Sequence, residues 1–324
     1  MKLLTRTEFR EGVFSRDNNT CVIPGCNKVA VDAHHLIERK LWKNTEGYYM
    51  DNGASVCEKH HRLAERDIIL PHYLRQCCNM TRIMLPTDFV WEKEYTKWGK
   101  LLPMSNRVIK KYPTTVYLPF AYIPANHHRD IGKNKHLIGV PCGIFNKMDG
   151  SNIKLESDLV AARNGTDATG ESFDYLKKLH STFAYKIPSN YVIFGEWLYA
   201  KHSIFYDDLE DYLQIFAVYD KDTQIWASWD YVEYVAKTLG VKTVPLIKYV
   251  EYDKEWEFEK DLTQIAKDVI KKGGEGIVIR SIYSFHDSQF SERIMKFVRE
   301  NHVQTDQHWS TQQLIKNKLK RDKK

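Results

Sequence analysis

No run of 18 or more apolar residues occurs in the 324 residues, so no transmembrane helix is expected. Met1-Lys2-Leu3-Leu4 is followed at once by charged residues, which argues against a signal peptide and for a cytoplasmic protein with no membrane partner, expected as a monomer. Neither Gly-x-Gly-x-x-Gly nor a Walker P-loop is present, which excludes the usual phosphate-cradling glycine loops. The six cysteines (Cys21, Cys26, Cys57, Cys77, Cys78 and Cys142) are too sparse for a disulfide framework, and three of them stand among histidines. Metal binding is the better expectation. With 43% hydrophobic residues the chain can bury one or two cores, and its length favours two domains.

Charge is unevenly placed along the chain. Residues 1–110 carry 18 Lys+Arg against 13 Asp+Glu, residues 311–324 carry 6 against 1, and the middle carries 24 against 28. Basic ends around a slightly acidic centre suit a protein that holds a polyanion with its flanks and does chemistry in the middle.

The first hundred residues open on a short helical pattern over 1–14. Cys21-Val-Ile-Pro-Gly-Cys26 then sets two thiols on either side of a Pro-Gly turn, and Cys57-Glu-Lys-His60 sets a thiol and an imidazole three residues apart. Two such pairs about thirty residues apart are what a structural Zn2+ site of Cys3His type requires. Between them lies the alternating segment Val31-Asp-Ala-His-His-Leu-Ile37, then Asn52, and His61 follows the second pair. This pattern resembles the HNH (ββα-metal) nuclease family, with four residues rather than two between the first cysteines and a histidine in place of the fourth. The resemblance implies a divalent cation on His34 and His61, His35 as general base on water, and Asn52 orienting that base. Such a module can bind nucleic acid with or without cutting it. Cys77-Cys78 are expected to pack rather than to ligate.

From Tyr112 the texture becomes β-rich, with strand-like stretches at 114–122, 137–145, 152–156, 191–198, 213–219 and 276–282. Helices are expected at 172–185, 230–239 and 255–272, the last with Lys271-Lys272 and glycine beyond it. The class is α+β, without the regular βαβ alternation of a doubly wound fold. Phe145-Asn-Lys-Met-Asp-Gly-Ser-Asn152 places Lys147 at a strand end, where lowering of its pKa by nearby cations or partial desolvation would make it a nucleophile. Taken alone, Lys-x-Asp-Gly describes a surface turn just as well.

Further on come Phe194-Gly-Glu196-Trp, Phe216 in an apolar strand, Glu275-Gly-Ile-Val278, and Lys296 in Ile294-Met-Lys-Phe-Val-Arg299. In this order the residues resemble the covalent nucleotidyltransferase superfamily of ATP-dependent polynucleotide ligases and capping enzymes. The closing segment through Trp309 looks most like the phage and bacterial RNA ligase branch. The resemblance implies an adenylyltransferase domain, ATP-grasp-like, with antiparallel sheets and flanking helices, preceded by the ββα-metal module.

It further implies that Lys147 takes AMP from ATP, that AMP passes to a nucleic-acid 5′-phosphate, and that a 3′-hydroxyl displaces it. Glu196 would meet the ribose, Glu275 Mg2+ (or Mn2+), Phe216 the adenine and Lys296 the α-phosphate. Asp149 and Gly150 complete the lysine motif, and Arg163 stands where relatives keep a phosphate-contacting arginine. Arg129, after His127-His128, is a further phosphate-facing candidate in a polar loop.

The expected divisions are 1–75 (metal module), 76–112 (helical linker), 113–310 (ligase domain) and 311–324 (a basic tail, helical or solvated). Only 28 residues follow Lys296, too few for the five-stranded OB barrel that follows this motif in many DNA ligases and capping enzymes. That weighs against a GTP-using capping enzyme. The leading expectation is ATP-dependent ligation of nicked duplex RNA and/or DNA, and the competing one a metal-dependent nuclease whose second domain binds nucleotide.

Overall fold

The computed structural model describes residues 2–43, 45–81, 84–103, 111–123, 131–163, 170–300 and 314–323. The chain divides into two compact units, residues 1–106 with 283–288, and residues 107–282 with 289–324.

The first unit opens on helix α1 (Arg6–Arg16), whose start is set by a capping box in which Thr5 and Glu8 satisfy each other's backbone amides. Phe9 and Val13 face inward from it at helical spacing. Strands β1 (Asp32–His35) and β2 (Gly53–Val56) form an antiparallel hairpin, with His35 opposite Gly53. Helix α2 (Glu58–Glu65) follows directly, with Cys57 as its N-cap residue, and α3 (Pro71–Cys77) begins on a proline that suits a first helical turn. This unit extends past residue 75. Leu41, Met84, Leu85 and Phe89 pack on Ile37, Trp42, Tyr49 and Tyr95, so the stretch expected as a linker contributes core side chains. Among the described residues, 91–98 are not helical despite their amphipathic pattern. The short strand β13 (Phe285–His286) also falls in this unit.

The second unit is built on two sheets. One has the order β11 (Leu246–Val250), β4 (Cys142–Lys147), β12 (Gly276–Ser281), β14 (Ile294–Val298) and β3 (Val116–Tyr117). In the other, β9 (Ile225–Trp226), β8 (Leu213–Asp220), β7 (Tyr191–Trp197), β5 (Ser151–Glu156) and β6 (Leu159–Ala162) follow in order, with β10 (Lys242–Thr243) parallel to β8. Helices α4 (Glu171–Ser181), α5 (Trp229–Leu239), α6 (Glu255–Lys271) and α7 (Phe290–Arg293) lie between strands in sequence. Alpha5 stops at Gly240, whose φ of 74° is the left-handed cap that glycine adopts without strain. The fold is the expected α+β.

The core gathers Ile153, Leu155, Ile193, Trp197, Leu213, Ile215 and Val218 from the second sheet against Phe173, Leu176, Trp229 and Val232. The residues after Leu314 depart from the expected basic tail. Lys316, Lys318 and Lys320 are exposed while Asn317 and Leu319 are 1% and 2% exposed, an alternation of period two. That segment lies extended between two stretches of the second unit, with Asn317 N donating to Tyr199 O and Leu209 N to Lys318 O.

Candidate active site and candidate metal centre

Register between β4 and β12 builds the lysine site. Lys147, last residue of β4, stands opposite Gly276, first residue of β12, so the preceding Glu275 falls beside the lysine side chain. Lys147 Nζ donates to both Glu275 carboxylate oxygens at 2.7 Å. Glycine is required at 276, because its φ is 154° and a Cβ would lie 2.0 Å from Phe297 O. At Gly150 a Cβ would lie 2.7 Å from Trp197 O, and the Gly150 amide donates to Glu196 Oε1 at 3.1 Å. The two motif glycines therefore permit the close strand contact that brings Glu196 and Glu275 to Lys147.

The electrostatics differ from the expected aid by cations. Burial works against the Lys147 ammonium, yet Glu275, Glu196 and Asp149 together hold its pKa above the ordinary lysine value. Burial pushes Glu196 up to about 8, with Lys147 pulling the other way. Glu275 is raised by the same burial, again opposed by Lys147. Three carboxyl groups gather around the half-buried Lys147 amine, an oxygen-rich setting into which a divalent cation fits by drawing them into the ionised form.

The other expected residues divide. Asp149 uses its carboxylate locally, Oδ2 accepting from Ser203 N, Ser203 Oγ and Ile204 N at 2.8, 2.6 and 2.8 Å. Phe216 sits half-buried where the β7/β8 register slips between Phe194 and Gly195, a bulge of the kind that re-aims a side chain. Tyr112, missed in the sequence, sets its ring edge-on to Phe216 at 4.9 Å. Lys296 stands across from Val278 on β14, its Nζ 4.1 Å from the Tyr117 ring centroid. Arg163 is exposed just beyond β6, and among the described residues no hydrogen bond or ion pair joins it to the cluster. The Arg129 stretch lies outside the described residues.

Two more arginines were missed. Arg280, buried on β12, donates to Phe216 O and Ala227 O at 2.9 and 2.8 Å. Arg299 donates its amide to Glu275 O at 2.9 Å and its Nη2 to Ser203 Oγ at 3.0 Å. Its Nε is buried with no partner among the described residues.

In the first unit the ligand atoms of Cys21, Cys26, Cys57 and His60 all lie within 4.8 Å of one another. Cys21 Sγ and Cys57 Sγ stand 3.0 and 3.4 Å from His60 Nδ1, and Cys26 Sγ is 3.9 Å from Cys57 Sγ. All four residues are free of disulfides or are imidazole, so the set fits a tetrahedral zinc site. Burial pushes Cys21 up to about 12, and the neighbouring Cys57 and Cys26 add to this. A bound metal would reverse that by taking the thiolate.

His61 is next to His60 on α2 and turns the other way. Its Nδ1 stands 2.9 Å from Asp32 Oδ2 and 3.4 Å from His34 Nδ1. Glu65, one helical turn on, brings Oε1 to 3.6 Å from His34 Nδ1 and 3.7 Å from His61 Nε2. Burial, then Lys97 and His61, keep His34 well below the ordinary histidine value, so the ring is neutral. Asp32 was missed although it lies two residues before His34 on a strand and so shares its face.

His35 occupies the opposite face, stacked on Phe9 at 4.5 Å, its Nε2 buried with no partner among the described residues. Burial, then Arg39 and Lys97, push its pKa down to about 3. Asn52 does not orient His35. Its Oδ1 accepts from Ile37 N at 2.9 Å and its Nδ2 donates to Ile37 O and Gly47 O at 3.1 and 3.0 Å, closing the loop between β1 and β2.

Residues 142–298, from the first residue of β4 to the last of β14, match the family model described as RNA ligase. No curated protein matches the chain. Solved structures that it resembles include form 2 of an archaeal ATP-dependent RNA ligase (14% identity, 61% of this chain and 50% of that one, TM-score 0.44). Another is a putative ATP-dependent DNA ligase from Aquifex aeolicus (18% identity, 58% and 49%, TM-score 0.40). A third is an RNA ligase from Naegleria gruberi with PPi (14% identity, 90% and 82%, TM-score 0.39). The matched part spans about half the length of the first two. No helix among the described residues is long and apolar enough to cross a membrane.

Proposed function

We propose that this protein is an ATP-dependent polynucleotide ligase that seals 5′-phosphate to 3′-hydroxyl ends at nicks in duplexes containing RNA and/or DNA. The observation that carries it is Lys147, the lysine of a Lys-x-Asp-Gly turn, half-buried and bonded to Glu275 near Glu196 inside the segment that matches the RNA ligase family.

The Lys147 Nζ lone pair forms a P–N bond to the α-phosphorus of ATP as the bridging P–O bond breaks and pyrophosphate leaves. The ammonium first loses its proton, a step the surrounding carboxylates oppose until their charge is drawn elsewhere. A 5′-phosphate oxygen then takes AMP from the lysine, and a 3′-hydroxyl displaces AMP to close the strand. Phe216 meets the adenine, Glu196 the ribose, and Lys296 the α-phosphate. Arg163 and Gly150 complete the nucleotide contacts. Glu275 would hold Mg2+ or Mn2+, which supplies charge neutralisation at the phosphates.

Zinc on Cys21, Cys26, Cys57 and His60 gives the first unit its frame, and His34 and His61, with Asp32, would take a divalent cation beside bound nucleic acid. The packing of His35 on Phe9 favours binding over cutting for this HNH-like unit.

Incubation with α-labelled ATP and GTP in parallel tests the reading. ATP-specific label, lost in Lys147→Ala, is expected. Nick sealing on duplexes that vary the sugar at each side then assigns RNA or DNA. Cutting of plasmid or structured RNA with Mn2+ and no ATP, dependent on His35 and without any lysyl-AMP, would instead establish the nuclease.

A further inference from the structure

The closing segment of the chain is built into the turn that carries Lys147. Asp149, two residues past the lysine, is fastened to the stretch 203–206 at both ends of its residue. Its carboxylate accepts the Ser203 and Ile204 donors, and its amide donates to the Tyr206 hydroxyl at 2.9 Å. Stretch 203–206 has neither helix nor strand to stiffen it. What holds it from the far side is Asn317. Asn317 Oδ1 accepts from Tyr206 N at 2.9 Å, and its Nδ2 donates to Leu198 O at 2.8 Å and Ala200 O at 3.3 Å. Lys318 N donates to Tyr206 O at 2.9 Å, and the Tyr212 hydroxyl donates to Asn317 O at 2.8 Å.

A buried amide side chain is costly unless its groups are paired, and here the carbonyl and the amino group both are. Leu319, two residues on and equally buried, anchors the same segment in the core of the unit. One chain of contacts therefore runs from Asn317 through the Tyr206 backbone to the Tyr206 hydroxyl, then to the Asp149 amide and Lys147.

We propose that Asn317 and Tyr206 are positioning residues for the chemistry at Lys147, the C-terminal segment 314–320 serving as a clasp that fixes the Lys147 turn against Glu275. For its activity readout the inference rests on the lysyl-AMP reading above. For its structural readout it does not. Misplacing a reacting group by about 1 Å can cost on the order of a hundredfold in rate, so a clasp of this kind governs kcat more than substrate affinity.

The test uses the full chain with Tyr206→Phe, which removes only the acceptor for the Asp149 amide, and Asn317→Ala. The readouts are kcat and KM for lysyl-AMP formation, the thermal midpoint, and amide hydrogen exchange of the peptide covering 147–152. Expected for Tyr206→Phe is a kcat lower by about tenfold, a KM for ATP within about twofold, an unfolding midpoint near the parent, and faster exchange confined to 147–152. The double variant should be no slower than the slower single, because both act through one chain of contacts. Unchanged kcat and exchange in Tyr206→Phe would overturn the proposal, as would an activity loss that only follows a fall in midpoint. If Asn317→Ala does not fold, Tyr206→Phe decides. If the parent forms no lysyl-AMP, the ligase reading fails, and exchange at 147–152 in Tyr206→Phe alone upholds or overturns the clasp.

Discussion

The two units assemble polar sites by opposite routes. In the first, the candidate ligands come in sequence-local pairs, Cys21 with Cys26 and Cys57 with His60, and their donor atoms converge within 4.8 Å. In the second, Lys147, Glu196 and Glu275 are separated by 49 and 79 residues and meet only because strand register puts Gly276 opposite Lys147 and Glu196 opposite Asn152. The first arrangement suits soft ligands that a metal ties together, where the geometry follows from the ion. The second suits oxygen-rich chemistry on a phosphate, where the sheets must hold mutually repelling carboxylates in place beforehand. Local pairing gathers one cluster, and cross-strand register gathers the other.

Lys147→Ala should separate the two most sharply. Adenylate labelling is expected to fall to background, since the proposed nucleophile is gone, while any zinc content measured by elemental analysis stays at the parent value. Residual label on another lysine would break the contrast. Next in size is Cys57→Ser, or chelation of the parent protein. Structural zinc contributes roughly 10–16 kcal/mol in small zinc-dependent peptides. Calorimetry should show the transition of the first unit lost or moved strongly down, with adenylation at Lys147 retained. A first unit indifferent to both treatments would mean that the cysteines merely pack.

Sequence reasoning singled out the residues that a short motif marks, and passed over those whose contacts are made at long range in the chain. Lys147, Glu196 and Glu275 stand beside glycines that mark close backbone approach, and the structure brings all three together. Tyr206, Ser203 and Asn317 carry no such mark. Asn317 binds Tyr206 across 111 residues, and nothing near either position advertises the partner. The basic tail was misjudged because its lysines were read as charge alone, although Lys316-Asn-Lys-Leu-Lys320 alternates as a half-buried strand does. Asp32 was legible on the same period, two residues before His34. Asn52 was assigned to the wrong partner because spacing cannot distinguish a side chain that orients an imidazole from one that closes a loop.

A smaller effect concerns pH in the second unit. The pKa of Glu196 is raised by burial to about 8 from an ordinary value of 4.5. A carboxyl raised in the folded state contributes stability that is fully present below the unfolded pKa and is lost as pH rises through the folded one. Between about pH 4.5 and 8 the second unit should therefore lose stability progressively as Glu196 is forced to ionise beside Glu275. Glu196→Gln removes that penalty. At pH 9 its unfolding midpoint should exceed the parent's, by about 2–4 °C for each kcal/mol recovered, while at pH 4 the two should nearly coincide. A constant offset across this range would show that Glu196 is already ionised in the fold.

The smallest expected change would sharpen the contrast inside the first unit itself, where two clusters share helix α2. His60 turns to the thiols and His61 to Asp32 and His34, so the helix presents a sulfur-rich set on one side and an oxygen and nitrogen set on the other. Asp32→Asn keeps an oxygen at the position and removes its charge. Mn2+ affinity, followed by titration calorimetry or electron paramagnetic resonance, should weaken by about tenfold, which is about 1.4 kcal/mol. Zinc content and Lys147 adenylation should not move. The alternative is that Asp32 merely pairs with His61, which reaches it at 2.9 Å, and that Glu65 with Lys97 completes an ion-pair network. In that case Asp32→Asn leaves Mn2+ binding unchanged and alters only stability, by about 0–1 kcal/mol for a pair this exposed. Since His34 is neutral and buried, the Asp32 carboxylate is the charge this set would offer a cation alongside Glu65, and the size of the Mn2+ effect separates a ligand from a neighbour.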